Sequence, residues 1–142
     1  MSDLYDTYVV TWSEQQAALL RRLAAGERVN SQVDWENVTE EMESVGRNEI
    51  DAVEAWLFQA LVHDLKAEGW PEARDVPPWR GETRGFRARA RRKYRPSMRQ
   101  KIDLAAITSD ALKALPDTLD GEPPRPVPPA CPLILEEIFG QK

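Results

Sequence analysis

Five arginines recur along one side of a short basic segment and form the densest grouping of a single chemistry in the sequence. They are Arg80, Arg84, Arg87, Arg91 and Arg95, spaced three or four residues apart. That spacing places them on one flank of a helix. Guanidinium groups bind phosphates and carboxylates through paired N–H donors. This Arg flank therefore predicts a contact with an anion: a nucleic-acid phosphate, a membrane surface, or carboxylates of this chain or of a second copy.

The distribution of charge along the chain indicates which of these anions the Arg flank contacts. The net charge is -5, yet residues 80–101 carry 10 basic and 1 acidic side chains. Residues 1–79 carry 6 basic and 16 acidic side chains, and residues 102–142 carry 3 and 7. Because most of the chain is acidic and repels polyanions, we interpret the Arg flank as pairing with carboxylates within the chain or across a dimer. Nucleic-acid binding is the alternative.

Three single residues are candidates for acid–base or nucleophilic chemistry. Glu49 falls in the middle of an apolar helix face, so it is a buried carboxylate with a raised pKa, a partner of an arginine, or a residue turned outward at a kink. His63 lies at the edge of the same face, roughly 21 Å further along, too far to share a site with Glu49. Cys131 has no base beside it, and burial as a small apolar side chain is the simpler interpretation. We assign no catalytic residue and no cofactor.

An acidic stripe runs almost opposite that apolar face. Its members are Glu36, Glu40, Glu43, Asp51 and Glu54. Carboxylates at helical spacing suit a hard cation, but a solvated face is the more ordinary explanation. A di-iron bundle needs a glutamate three residues before a histidine, and Ala60 stands there before His63. We assign no metal ligand.

One long helix must position most of these residues. Residues 34–68 carry a single apolar face: Trp35, Val38, Met42, Val45, Val53, Trp56, Leu57, Ala60 and Leu61. Asp34 is a suitable N-cap and Gly69 a suitable stop. The face keeps its phase across Gly46, which costs only about 1 kcal/mol, so we predict an unbroken or merely kinked helix. At roughly 52 Å it exceeds the roughly 37 Å diameter of a compact chain of this size, which favours a homodimer.

The remaining segments predict one all-α domain over residues 1–142, a small bundle around that long central helix. A first helix is expected over 4–25, with Tyr5, Tyr8, Trp12, Leu19, Leu20 and Leu23 on its buried face. A proline-containing loop over 69–78 precedes helices over 79–94 and 96–115. Seven prolines in 116–132 predict an extended strap over the surface, followed by a terminal helical turn over 133–139.

Several residue groups resemble a known family. They are Leu4-Tyr5-Asp6 with Trp12 and Gln16-Ala17-Ala18-Leu19-Leu20, then Glu40-Glu41-Met42-Glu43-Ser44-Val45-Gly46-Arg47, His63-Asp64-Leu65-Lys66 and Ala130-Cys131-Pro132. This pattern is similar to the bacterial family called domain of unknown function 29, over nearly the whole chain. The resemblance implies a small all-helical bacterial protein and no particular activity. An aromatic residue is expected directly after Lys66, where this chain has Ala67.

Composition favours a cytoplasmic interaction module as the function. One cysteine excludes an internal disulfide and fits a reducing compartment. The first residues lack signal-peptide features, and no apolar run is long enough to span a membrane. We therefore predict a non-enzymatic helical module that binds a second copy or another protein. A nucleic-acid-binding accessory protein is the second interpretation, and a small enzyme using His63, Glu49 or Cys131 is the third.

The Arg flank separates the first two interpretations experimentally. If the flank binds phosphates, changing two of Arg84, Arg87, Arg91 and Arg95 to Gln weakens binding to a DNA and RNA pool. The slope of log affinity against log salt should then fall by roughly 0.9 per lost duplex contact. If the flank pairs with carboxylates, the same change lowers stability or self-association, which is what we expect. Tight, salt-sensitive binding of the unaltered protein to nucleic acid at physiological ionic strength would contradict this expectation.

Overall fold

In the computed structural model, residues 3–131 and 133–140 are described, and within them the secondary structure is helical. Six α-helices run in the order α1 Asp3–Thr7, α2 Val9–Ala24, α3 Trp35–Gly69, α4 Val76–Lys93, α5 Leu104–Lys113 and α6 Leu135–Gly140. Two 3-10 turns lie at Asn30–Gln32 and Pro96–Met98. The only strand-like pairing in the described ranges is an isolated bridge between Leu119 and Glu122. The all-α prediction with one long central helix is confirmed.

The long helix α3 is continuous through Gly46. Its first turn is capped by Asp34, whose carboxylate accepts from the backbone N–H of Asn37 at 3.5 Å and from the Asn37 side-chain amide at 2.9 Å. The same carboxylate accepts the indole N–H of Trp12 at 3.0 Å. At the other end, the carbonyl of Gly69 accepts from the backbone N–H of Arg125 at 2.8 Å. Both predicted ends of the helix are therefore correct to within one residue.

By its contacts the chain divides into two compact units, Met1–Arg47 and Asn48–Lys142, and α3 contributes residues to each. In the first unit the predicted helix over 4–25 is wrong at Tyr8, where the backbone leaves the helical region (φ -136°, ψ 65°) and separates α1 from α2. Tyr5 and Trp12 meet edge to face with ring centroids 4.7 Å apart. One straight helix would separate these positions by about 10.5 Å along its axis, so the break at Tyr8 helps the rings meet.

The burial predicted for the first helix is also only partly correct. Trp12 is buried at 3% exposure, whereas Tyr8 is 63% exposed and Leu20 is 36% exposed. Tyr5 is held by its hydroxyl, which donates to the carboxylate of Glu41 on α3. That hydrogen bond and the neighbouring negative charge raise the pKa of Tyr5 to about 12.

The second unit contains the main hydrophobic core. Its buried members come from α3, α4, the second 3-10 turn, the connection to α5, α5 itself and α6: Val53, Leu57, Ala90, Met98, Ile102, Ile107, Leu135, Ile138 and Phe139. A smaller group of Val62, Leu65 and Ala111 lies further along α3. The predicted docking of the terminal turn on the core is therefore confirmed for Leu135, Ile138 and Phe139, while Ile134 is 55% exposed.

Two helix boundaries in this unit differ from the prediction. α4 begins at Val76 rather than Trp79, because Pro77 and Pro78 occupy its first turn, where a missing N–H costs no helical hydrogen bond. The predicted helix over 96–115 is wrong between 99 and 103. The chain instead makes a 3-10 turn at Pro96–Met98, and α5 then restarts with Asp103 as its N-cap, accepting from the backbone N–H of Ala106 at 3.0 Å.

The proline-rich segment over 116–131 is irregular and lies against the end of α3, as expected of a strap. The Trp70 indole N–H donates to the carbonyl of Glu122 at 2.9 Å. A Cβ on Gly69 would lie 3.2 Å from Cβ of Pro124, so this glycine permits the close approach of the strap. Pro132, the last residue of the predicted strap, lies outside the described residues.

Phe139→Ala tests the docking of α6. Phe139 is 9% exposed and packs against Tyr94 with ring centroids 4.6 Å apart. We expect its truncation to lower the free energy of unfolding by about 3–5 kcal/mol, measured by urea denaturation. Ile134→Ala is the matched control and should cost less than about 1 kcal/mol, since Ile134 is exposed. Equal effects of the two changes would show that α6 does not dock.

Asp34→Ala tests the cap of α3. The Asn37 side chain and the Trp12 indole hold the pKa of Asp34 below its usual value of 3.8. A carboxyl group whose pKa is lower in the folded than in the unfolded state stabilises the fold at pH values above its ordinary pKa. This stabilisation is lost as the pH falls through the folded-state pKa. We expect a cost of about 0.5–2 kcal/mol at pH 7 that shrinks under acid conditions.

Asp34→Asn is the control for that experiment, since asparagine also caps helices but does not titrate. Denaturant unfolding of the three proteins at neutral and at acid pH measures both effects. An Asp34→Ala deficit that does not shrink under acid conditions would contradict the assignment of the charged carboxylate as the cap.

Candidate functional site

A cavity of about 300 Å³ lies in the second unit, where sequence-distant groups meet. Its polar lining comes from Asp64 and Glu68 on α3, Arg80 and Arg87 on α4, and Thr108 on α5. Its apolar lining is formed by Leu57, Ala60, Leu61, Leu65, Pro128, Ala130, Leu133 and Ile138, and Cys131 completes the wall. Two members of the Arg flank and the single cysteine of the chain therefore share one site.

Asp64 organises the polar side of this cavity. Its carboxylate accepts from the Arg87 guanidinium, and Arg80 Nη1 lies 3.4 Å from it. Arg80 and Arg87 are seven residues apart, two helical turns, so both point from one face of α4 toward α3. The Asp64 side chain is 18% exposed and that of Arg87 is 22% exposed, whereas Arg80 is 48% exposed. One carboxylate thus orients two guanidinium groups, one of which reaches solvent.

The other three arginines of the flank have different surroundings. Arg91 donates to the carbonyl of Phe139 at 3.2 Å. Arg95 donates to the carbonyls of Tyr94 and Arg92 at 3.2 and 3.3 Å. Arg84 is exposed and, among the described residues, has no carboxylate within 4.0 Å. The flank is therefore divided: Arg80, Arg87 and Arg91 reach acceptors on other elements, whereas Arg84 and Arg95 reach none on another element within the described ranges.

His63 is held by contacts to α3 and α4. Its Nδ1 lies 2.8 Å from the carbonyl of Gln59, and its Nε2 lies 2.6 Å from a carboxylate oxygen of Glu82. Both neighbours are hydrogen-bond acceptors. The ring also packs against Phe86 with centroids 5.3 Å apart. These contacts describe a hydrogen-bonded structural histidine.

Glu49 is more accessible than its place on the helical wheel suggests. Its side chain is 43% exposed, and its carboxylate lies 3.6 Å from Nζ of Lys93 rather than against an arginine. In the acidic stripe, Glu40 and Glu43 pair with Arg47 at 2.9 and 3.8 Å. Burial and then the charges of Asp51 and Asp103 raise the pKa of Glu54. The described ranges contain no group of three or more His, Cys, Asp or Glu side chains able to hold a metal.

Sequence reasoning missed Asp64 and Glu68 as site residues, although one signal was available. Asp64 follows Leu57 by seven residues, so it lies on the face of α3 that is buried in the second unit. The argument that singled out Glu49, a charge on an apolar face, applies better to Asp64. The position of Thr108 depends on how α5 packs, and no local signal points to it.

A second candidate site is an apolar strip on the first half of α3, consisting of Trp35, Val38, Met42 and Val45. Trp35 is 48% exposed, Met42 69% and Val45 58%, and Val38 is half-buried. Of the large apolar side chains that are exposed in the described ranges, all but Ile134 belong to the first unit. A surface of this kind is typical of a protein-interaction site.

Within residues 3–131 and 133–140, no helix has the length and apolarity needed to cross a bilayer.

Comparison with known proteins gives a family and a fold. The chain is similar to an alpha-helical protein of unknown function from Rhodospirillum rubrum ATCC 11170, whose crystal structure is known. The two sequences are 27% identical and the two structures match with a TM-score of 0.68. The match covers 99% of this chain and 92% of that one. No curated protein matches the chain. The model of the family described as Domain of unknown function DUF29 matches residues 4–142. Since that match spans nearly all 142 residues, the chain belongs to this family.

Proposed function

We propose that the protein is a non-enzymatic helical interaction module that associates with a second copy of itself through the apolar strip on α3. The exposure of Trp35, Met42 and Val45 carries this proposal. Further along the same helix, Val53, Leu57 and Ala60 are buried. A face that is covered in one half and left open in the other calls for a partner on the open half.

The spacing within the strip suits a second helix. Trp35, Val38, Met42 and Val45 follow one another at steps of three, four and three residues, the alternating spacing of helices packed side by side. Tryptophan and methionine are enriched where protein surfaces meet. The strip therefore supports helix-to-helix packing rather than binding of a small molecule.

A second copy of this chain is the partner that we favour, because the strip and its flanking charges complement themselves. In an antiparallel pairing with Met42 opposite Val45, Arg47 of each copy comes next to Glu40 of the other. The ion pair between Arg47 and Glu40, which forms within one chain at 2.9 Å, then forms between the two chains instead. Two-fold pairing is also the commonest form of self-association.

The competing functions have weaker support. Nucleic-acid binding along the Arg flank requires a row of free guanidinium groups, and Arg87 and Arg91 in the middle of that row contact acceptors on other elements. A cysteine nucleophile requires a base beside it, and the described contacts of His63 are with Gln59, Glu82 and Phe86 rather than Cys131. We also infer a cytoplasmic location, since one unpaired cysteine suits a reducing compartment.

Light scattering after size exclusion tests the dimer. At micromolar concentration we expect twice the chain mass of 16.2 kDa, and 16.2 kDa for Met42→Glu combined with Val45→Glu. Both residues are exposed, so circular dichroism should show an unchanged fold. Ile134→Glu is the control, an equally exposed apolar residue outside the strip that should leave the dimer intact.

Salt provides a second measure of the same association. The first unit carries 4 basic and 9 acidic side chains, so two copies repel each other at low ionic strength. Added salt screens that repulsion and should strengthen self-association, whereas it would weaken binding of a basic partner. A single-chain mass for the unaltered protein at every concentration and salt level would refute the proposal.

A further inference from the structure

We propose that the cavity in the second unit binds a small carboxylate with an apolar body, and that Arg80 holds its carboxylate. This inference is independent of self-association, because the cavity is lined by residues of the second unit alone, from Leu57 to Ile138.

The charge arrangement on the polar wall supports an anion. Asp64 is the carboxylate shared by Arg80 and Arg87. A guanidinium has five N–H donors, and the contact of Arg80 with Asp64 at 3.4 Å engages only part of them. Asp64 therefore positions the arginines, and the partly exposed guanidinium of Arg80 has room to take a second carboxylate in a forked geometry.

Glu68 gives the wall a second feature. It lies one helical turn beyond Asp64 on α3 and also lines the cavity. A ligand that carries an ammonium group beside its carboxylate can place that group near Glu68. The shared chemistry is thus a carboxylate on an apolar body, either as a simple acid or as an α-amino acid.

The apolar wall and the volume define the body of the ligand. Leu57, Leu61, Leu65, Leu133 and Ile138 line the same cavity as its charged groups. A volume of about 300 Å³ is at the small end of ligand pockets and equals the liquid volume of about ten water molecules. An arylalkyl or branched alkyl acid of that size removes its apolar body from water while its carboxylate meets Arg80.

Cys131 supplies a direct readout. Cys131 is the single cysteine of the chain, and it lines the same cavity. A ligand in the cavity should shield the thiol from a thiol-specific reagent. The rate at which the full chain reacts with Ellman's reagent therefore reports occupancy without any assumption about activity.

The experiment compares matched probes on the unaltered protein. 3-Phenylpropanoate should slow the reaction of Cys131 about tenfold at ten times its dissociation constant. 3-Phenylpropanamide has the same body without the charge and should give little protection at that concentration. Phenylalanine adds the ammonium group: stronger protection than the simple acid identifies an amino acid as the ligand class, and weaker protection identifies the simple acid.

Matched variants test the arginine contact. Arg80→Gln should weaken binding of 3-phenylpropanoate by about tenfold or more, the effect of losing a charge-assisted hydrogen bond. Arg84→Gln removes an exposed arginine of the same helix that does not line the cavity, and it should leave binding unchanged. Thermal unfolding confirms that both variants fold.

Three outcomes would overturn the inference. Equal protection by the acid and the amide would show that charge is not recognised, and this comparison needs no variant. Equal weakening by Arg80→Gln and Arg84→Gln would show a general electrostatic effect. If the thiol does not react, isothermal titration replaces labelling, and no detectable heat with millimolar acid or phenylalanine would remove the proposal.

Discussion

The burial of one face of α3 is the constraint on which the second unit depends. Val53, Leu57 and Ala60 are 0%, 1% and 2% exposed. They are covered by side chains from α4, α5 and α6, which are separated from them by tens of residues along the chain. Each covering helix is short or rich in charge and would be marginal alone in water. Packing on α3 therefore provides most of the stability of these helices.

Burial of that face also explains how charges are handled next to the core. A half-buried carboxylate such as Asp64 is costly unless it is paired. α4 supplies Arg80 and Arg87 at a spacing of two turns, and Thr83 between them donates to the carbonyl of Ala60 at 3.5 Å. The high arginine content of α4 thus serves partly to balance α3. The same pairing builds the charged wall of the cavity, so a structural requirement and the proposed binding surface share the same atoms.

The first half of α3 differs from the second in what surrounds it. α1 and α2 are tied to it through polar groups: the Tyr5 hydroxyl on Glu41, the Trp12 indole on Asp34, and the Asp34 backbone N–H on Gln16 at 2.8 Å. These hydrogen bonds position the helices while covering only one side of α3. Met42 and Val45 are left open to solvent as a result. A helix that continues without a break through Gly46 thus carries a closed core on one part and an open apolar strip on the other.

By itself the sequence determined the local features of this protein. The extent of α3, its cap at Asp34, its end at Gly69 and the irregular strap follow from periodicity, capping and proline content, which act over a few residues. The tertiary structure decided which apolar positions are buried, because Met42 and Leu57 have the same local pattern and differ only in what lies across from them. It also decided the break at Tyr8, the pairing of Arg80 and Arg87 with Asp64, and the place of Cys131 on the cavity wall. Each of these depends on partners distant in the chain, whose positions are set by packing and hydrogen bonding of the folded chain rather than by any neighbouring residue.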